Sequence, residues 1–103
     1  MKMALINIPE EFSKEDRMTR DGGEKLRYLI LDLAQQNEVI ELDFKKIPIA
    51  SVSFWDEGVA KLLMEGWTQD ELRERVRLVN VHPRDLEVLE RLIGSRKKDI
   101  RPI

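Results

Sequence analysis

Arg20, Asp43, Asp56 and Glu57 are this 103-residue chain's candidates for acid, base or anion chemistry. Asp56 and Glu57 are adjacent and follow the run Ser51-Val52-Ser53-Phe54-Trp55, where the pattern turns helical. Carboxylates near a helix start complement the positive end of its dipole. An acid pair becomes catalytic only with a cleft and a third group, and the sequence displays neither. An enzyme or small-ligand reading therefore requires the four side chains to converge, and the expectation is that the chain is not an enzyme. Thr19 and Arg20 precede Asp21-Gly22-Gly23, so together with Ser53 they are candidates for holding an anion at a helix N-terminus. The two glycines lack the lysine and spacing of a phosphate-binding loop, and pairing of Arg20 with an acid across the domain is the structural alternative.

Other chemistries lack material. The single histidine, His82, stands before Pro83 and reads as a helix-entry residue. One histidine without cysteines builds neither a metal site nor a nucleophilic triad, so no metal and no cofactor is expected. The absence of cysteine also excludes disulfides and fits a reducing compartment. With 37% charged and 42% hydrophobic residues and a net charge of -2, the composition is that of one ordinary mixed-charge domain and argues against nucleic-acid binding. The apolar stretch before Pro9 is too short for a signal-peptide core and no run approaches membrane length, so a cytoplasmic, membrane-free protein is expected. Arg96, Lys97, Lys98 and Arg101 form a basic cluster that suits either an acidic partner or solvent at a helix end.

Periodicity supplies the elements that position these groups. Residues 2–8 alternate as a strand ended by Pro9, and residues 9–20 read as a loop, with or without a short strand, anchored by Phe12 and Met18. Asp21 and Glu24 have capping-box spacing, and Leu26, Leu29, Ile30 and Leu33 form a helical stripe over about 22–36. A strand follows over 39–44 with acids on one side, which predicts a sheet covered by helices mainly on one face. Ser53 with Asp56 marks the next helix start, with Val59, Leu62 and Leu63 buried and Gly66 as the stop. Gly58 inside that helix predicts close backbone packing against a neighbour. Thr68 and Glu71 make another capping box, residues 76–81 a strand, and residues 83–93 a last helix ended by Gly94. The whole is one domain, 1–103, with an N-terminal strand and loop over 1–20 and a basic tail over 94–103. Alternating strands and helices predict an α/β fold with a mixed, mostly parallel sheet.

Within this order, MTRDGGEKLRYLIL, VIELDFKKIPIASVSFWDEGVAKLL and VRLVNVHPRDLEVLERLI resemble STAS-like domains of unknown function, relatives of the STAS domains of anti-sigma factor antagonists. The similarity runs over about 17–93 and is carried by Thr19, Arg20, Leu42, Asp43, Phe44, Ser53, Phe54, Asp56, Glu57, Val79 and Asn80. It implies a small STAS-like fold, and a partner of the histidine-kinase-like ATPase type by analogy with the kinases that bind the antagonists. In those antagonists an acid, two serines and a glycine form the loop, and the first serine is phosphorylated. Alignment from Leu42 to Ile49 places Ser51 at the acid, Val52 at the phosphorylated serine and Ser53 at the second. The phosphorylated hydroxyl is missing, so that switch does not carry over.

The expectation is a regulatory interaction module that docks a protein partner through the 47–58 loop and the exposed side of the following helix, 54–65, with Ser51, Val52, Ser53, Phe54, Trp55, Asp56 and Glu57 as its partner-binding residues. Phe54 and Trp55 cannot share one helix face, so at least one is expected to be partly exposed or to lie against the loop; an exposed one would suit partner docking, and packing over the sheet edge is the structural alternative. Ser53 reads as an N-cap, with a regulated hydroxyl as the alternative. A homodimer through a free sheet edge or Trp67 is a further expectation.

Overall fold

The computed structural model describes residues 2–99, with side-chain surroundings through Arg96. Three strands, β1 (Met3–Asn7), β2 (Val39–Asp43) and β3 (Val76–Val79), form an all-parallel sheet in the order β1-β2-β3. Around them lie a single-turn helix α1 (Ile8–Glu11), then α2 (Arg20–Ala34), α3 (Val52–Gly58), α4 (Gln69–Arg75) and α5 (Pro83–Asp99), with 3-10 turns over Asp16–Met18 and Ala60–Glu65. The α/β architecture is as expected. The segment 9–20 carries helical turns and no strand; Phe12 is buried, whereas Met18 is 61% exposed and anchors nothing.

The register explains the layering. Ala4 pairs with Ile40, Ile6 with Leu42, Ile40 with Val76 and Leu42 with Leu78, which puts one apolar row from each strand on the helix-covered face. Ile6, Ile40 and Leu42 are fully enclosed there, while Met3 and Leu5 point the other way and are 49% and 60% exposed. Strand side chains alternate between faces, so helices on one side leave the opposite row to solvent.

Helix packing depends on three glycines. A Cβ on Gly22 would fall 1.7 Å from the Asp16 carbonyl oxygen. One on Gly23 would fall 2.8 Å from the Phe54 carbonyl oxygen, and one on Gly58 3.2 Å from the Gly23 oxygen. Gly22 and Gly23 therefore serve backbone contact, and Gly58 has the packing role its position predicts.

Capping departs from expectation at two starts. Thr19, not Asp21, caps α2, its Oγ1 accepting from the Gly22 N–H at 3.1 Å. Ser51, not Ser53, caps α3, accepting from the Phe54 N–H at 3.2 Å. Thr68 and Glu71 form the predicted reciprocal box on α4, and Gly66 closes the preceding turn at φ 92°. The last helix does not stop at Gly94 but continues to Asp99, so residues 94–99 of the expected tail are helical. Arg96 accounts for the extension, because it grips Asp56 of α3 through two hydrogen bonds of 2.9 and 2.6 Å and outweighs one glycine's helix cost of about 1 kcal/mol. The Lys97 and Lys98 side chains and Arg101 lie outside the described residues.

Gly23→Ala is expected to destabilise the domain by about 1–2 kcal/mol, because overpacking the α2–α3 contact exceeds the gain in helix propensity. Urea denaturation should show a lower midpoint at unchanged slope.

Candidate functional site

The segment 44–58 runs from the C-terminal end of β2 into α3 and holds the residues expected to act. Its second half is core. Phe54 and Trp55 are both 0% exposed, so of the two expectations packing holds and exposure does not. Phe54 meets Phe12 edge-on at 5.9 Å, and Trp55 stacks on Phe44 at 4.8 Å. Adjacent helix positions are both buried because α3 packs against both α2 and α5, with Phe12 and Phe44 meeting its two aromatics, so neither is a docking anchor.

Glu57 is 2% exposed and also leaves the partner-binding set. Its carboxylate takes charge-assisted hydrogen bonds from Arg20, from Arg27 at 3.1 Å and from Lys61 at 2.8 Å, and its carbonyl oxygen accepts from Arg27 at 2.6 Å. Burial pushes the Glu57 carboxyl up, but the hydrogen bonds from Lys61, Arg27 and Arg20 outweigh it and lower it from 4.5 to about 2. Arg20 thus pairs with an acid across the domain rather than cradling an anion, and the Thr19 hydroxyl is occupied as a cap. Asp56 is committed to Arg96. Asp43 accepts from Asn80 Nδ2 at 3.0 Å and from the Lys45 N–H at 2.9 Å, and its carboxyl is lowered by those two hydrogen bonds. Arg20 and Glu57 meet, but Asp43 and Asp56 belong to separate networks, so the four candidate side chains do not converge on one cleft. Among the described residues no cluster of three histidine or carboxylate side chains is placed to hold a metal, and no helix is long and apolar enough to cross a membrane.

The first half of the segment has a different character. Lys45, Lys46 and Ala50 have φ of 51°, 64° and 51°, and Asn80 in the neighbouring loop has 55°. Left-handed backbone costs a non-glycine residue roughly 1–2 kcal/mol, and such strain persists where surrounding structure over-determines it, commonly at functional loops. Two acids supply that restraint. Asp43 holds the entry, and Asp85, itself buried in the first turn of α5, accepts from the Ile49 N–H at 2.9 Å and the Ala50 N–H at 3.3 Å. Sequence reading passed over Asp85, whose only local signal is an acid in a helix's first turn.

The loop stands between two shallow grooves that share Pro48 and Ala50. One, of about 340 Å³, is bordered by Lys14, Arg17 and Met18; the other, of about 350 Å³, by Val52, His82 and Arg84. Val52 is 58% exposed, which makes it the large apolar side chain of the expected stretch that faces outward. His82 opens α5 as expected, its Nδ1 accepting from the Arg84 N–H at 3.2 Å.

Residues 22–86, more than half of the chain, match the family model of a STAS-like domain of unknown function. No curated protein and no solved structure matches the chain.

The buried carboxylate makes stability pH-dependent. The Glu57 folded-state value lies below its ordinary 4.5, so its contribution is fully present above that pH and is lost as pH falls towards about 2. Glu57→Gln is expected to cost on the order of 3 kcal/mol at neutral pH, and the gap from wild type should shrink through that acidic window in pH-resolved denaturation curves. At the loop, Ser51→Ala should cost about 1 kcal/mol through loss of the cap, whereas Ser53→Ala should leave the midpoint nearly unmoved.

Proposed function

Since the chain belongs to the family of STAS-like domains of unknown function, we propose that it is a regulatory protein-interaction module that docks its partner through the 47–53 loop and has no catalytic chemistry of its own. One observation carries this reading: a restrained loop presents Pro48 and Val52 between two apolar-walled grooves edged by Lys14, Arg17 and Arg84. Asp85 is the carboxylate lining the second groove, and it is buried and engaged by backbone N–H groups. A partner segment that combines apolar side chains with acids fits such a surface. Its apolar groups fill the grooves, and its carboxylates meet the rim cations, which speeds encounter and selects the partner. Restraint of the loop before binding reduces the ordering entropy lost on association.

The partner class follows the family relation: a histidine-kinase-like ATPase domain, as for the kinases that bind anti-sigma factor antagonists. Docking here does not depend on a phosphorylated serine, since Val52 stands at that position.

Calorimetric titration against histidine-kinase-like ATPase domains of the source organism tests the reading. Val52→Asp is expected to weaken binding at least about tenfold, or about 1.4 kcal/mol, and added salt should weaken the wild-type complex. Leu5→Asp on the far sheet face should bind as wild type. Binding lost in Leu5→Asp and retained in Val52→Asp would move the interface elsewhere, and no binding by any such domain would remove the partner class.

A further inference from the structure

Two lysines occupy a turn whose backbone geometry favours asparagine and glycine. The Ile47 N–H donates to the Phe44 carbonyl at 2.9 Å, and the two residues between them, Lys45 and Lys46, have φ of 51° and 64°. Positive φ at both central positions ordinarily selects Asn-Gly, because a longer side chain on that backbone is strained. Lys45 has a use within the chain, since its N–H and its Nζ reach the Asp43 carboxylate at 2.9 and 3.1 Å. Lys46 has no such use. Its N–H donates to the Asn80 carbonyl at 2.8 Å, a bond that glycine would make equally well. Its side chain is exposed and has no partner among the described residues.

Cations without a carboxylate in ion-pair reach gather around the 47–53 loop. Lys14 and Arg17 border the groove that Ile47 and Pro48 line, Lys46 immediately precedes Ile47, and Arg84 borders the other groove. Elsewhere among the described residues the same holds for Lys2 and Arg75, which stand at the opposite ends of the strands, and for Arg91. Other cations are closed off internally, as Arg20, Arg27 and Lys61 are on Glu57.

We propose that Lys46 is a specificity-determining residue of the docking surface, meeting a carboxylate of the partner segment beside the groove of Lys14 and Arg17, and that the strained turn is retained for this charge. The inference rests on the docking role proposed above and adds the position at which the surface reads an acid. An exposed charge at an interface rim acts mainly on encounter, so it raises the association rate more than it slows dissociation. Its stem is fixed in advance, because the turn is tied to Asp43 through Lys45 and to the Asn80 carbonyl through Lys46 itself, which limits the ordering entropy lost on contact. Folding and recognition thus make opposite demands on residue 46, and substitution separates them.

Urea denaturation of the full chain, with stopped-flow association against a histidine-kinase-like ATPase domain that binds it, provides the test. Lys46→Gly is expected to raise the urea midpoint at unchanged slope, because the strain is relieved. The same variant should associate about threefold more slowly at low salt, with a shallower salt dependence and a nearly unchanged dissociation rate. Lys46→Arg should restore the association rate without the gain in midpoint. Lys2→Ala, an equal change in net charge at the far end of the sheet, should associate as wild type. A midpoint that falls in Lys46→Gly, an association rate that stays at the wild-type value, or an equal slowing in Lys2→Ala would overturn the proposal. Weakened binding in Val52→Asp with none in Lys46→Gly removes this inference alone, whereas wild-type binding by Val52→Asp, or no binding by any such domain, removes the docking reading and this inference with it.

Discussion

The backbone contact between α2 and α3 at Gly23 and Gly58 determines most of what the rest of the domain does. Without a Cβ on either residue the helices touch main chain to main chain, and α3 is enclosed by α2 and α5. A seven-residue helix enclosed this way has little surface left. Phe54 turns to Phe12 and Trp55 to Phe44, and Glu57 is carried inside with them. A buried carboxylate is tolerable only if its charge is met, which is the role of Arg20, Arg27 and Lys61. Of the residues that look most chemical in the sequence, Arg20 and Glu57 are thus committed to holding α2 and α3 together.

That same enclosure moves any outward role of the segment back into the loop before α3 and the helix's first residue, Val52. There the chain departs from ordinary backbone angles at three non-glycine residues and is held by Asp43 at one end and Asp85 at the other. The acids act through backbone N–H groups, so they fix the course of the main chain while leaving Pro48 and Val52 facing out. Strain, restraint and exposed apolar side chains coincide in one place, which distinguishes this loop from the connection over residues 9–19.

Local signals in the sequence were reliable where one residue type had one use. The Thr68 and Glu71 box, the Gly66 stop and the stripe of Leu26 and Ile30 are all realised. They misled where two residues competed for one role. Thr19 and Asp21 both suit a cap, as do Ser51 and Ser53, and short-range pattern does not choose between them. The choice at α2 goes with Gly22 lying against the Asp16 carbonyl, a contact that starts the helix at Arg20. Gly94 misled for a similar reason, since the Arg96 link to Asp56 carries the helix beyond it.

From the sequence alone came the order of the three strands and the main helices, the buried rows of β1, β2 and α2, the absence of thiol chemistry and the resemblance to STAS-like domains, because hydrophobic period, capping types and composition are properties of neighbouring residues. Tertiary structure decided which acids are spent in ion pairs, that both aromatics of α3 are core, and that Asp85 restrains the loop. Those outcomes depend on partners such as Arg20 and Glu57, 37 residues apart, or Ile49 and Asp85, 36 apart, which meet only after the helices have packed. No local pattern encodes such meetings, since they are set by the separation of whole elements and by the space a missing side chain leaves.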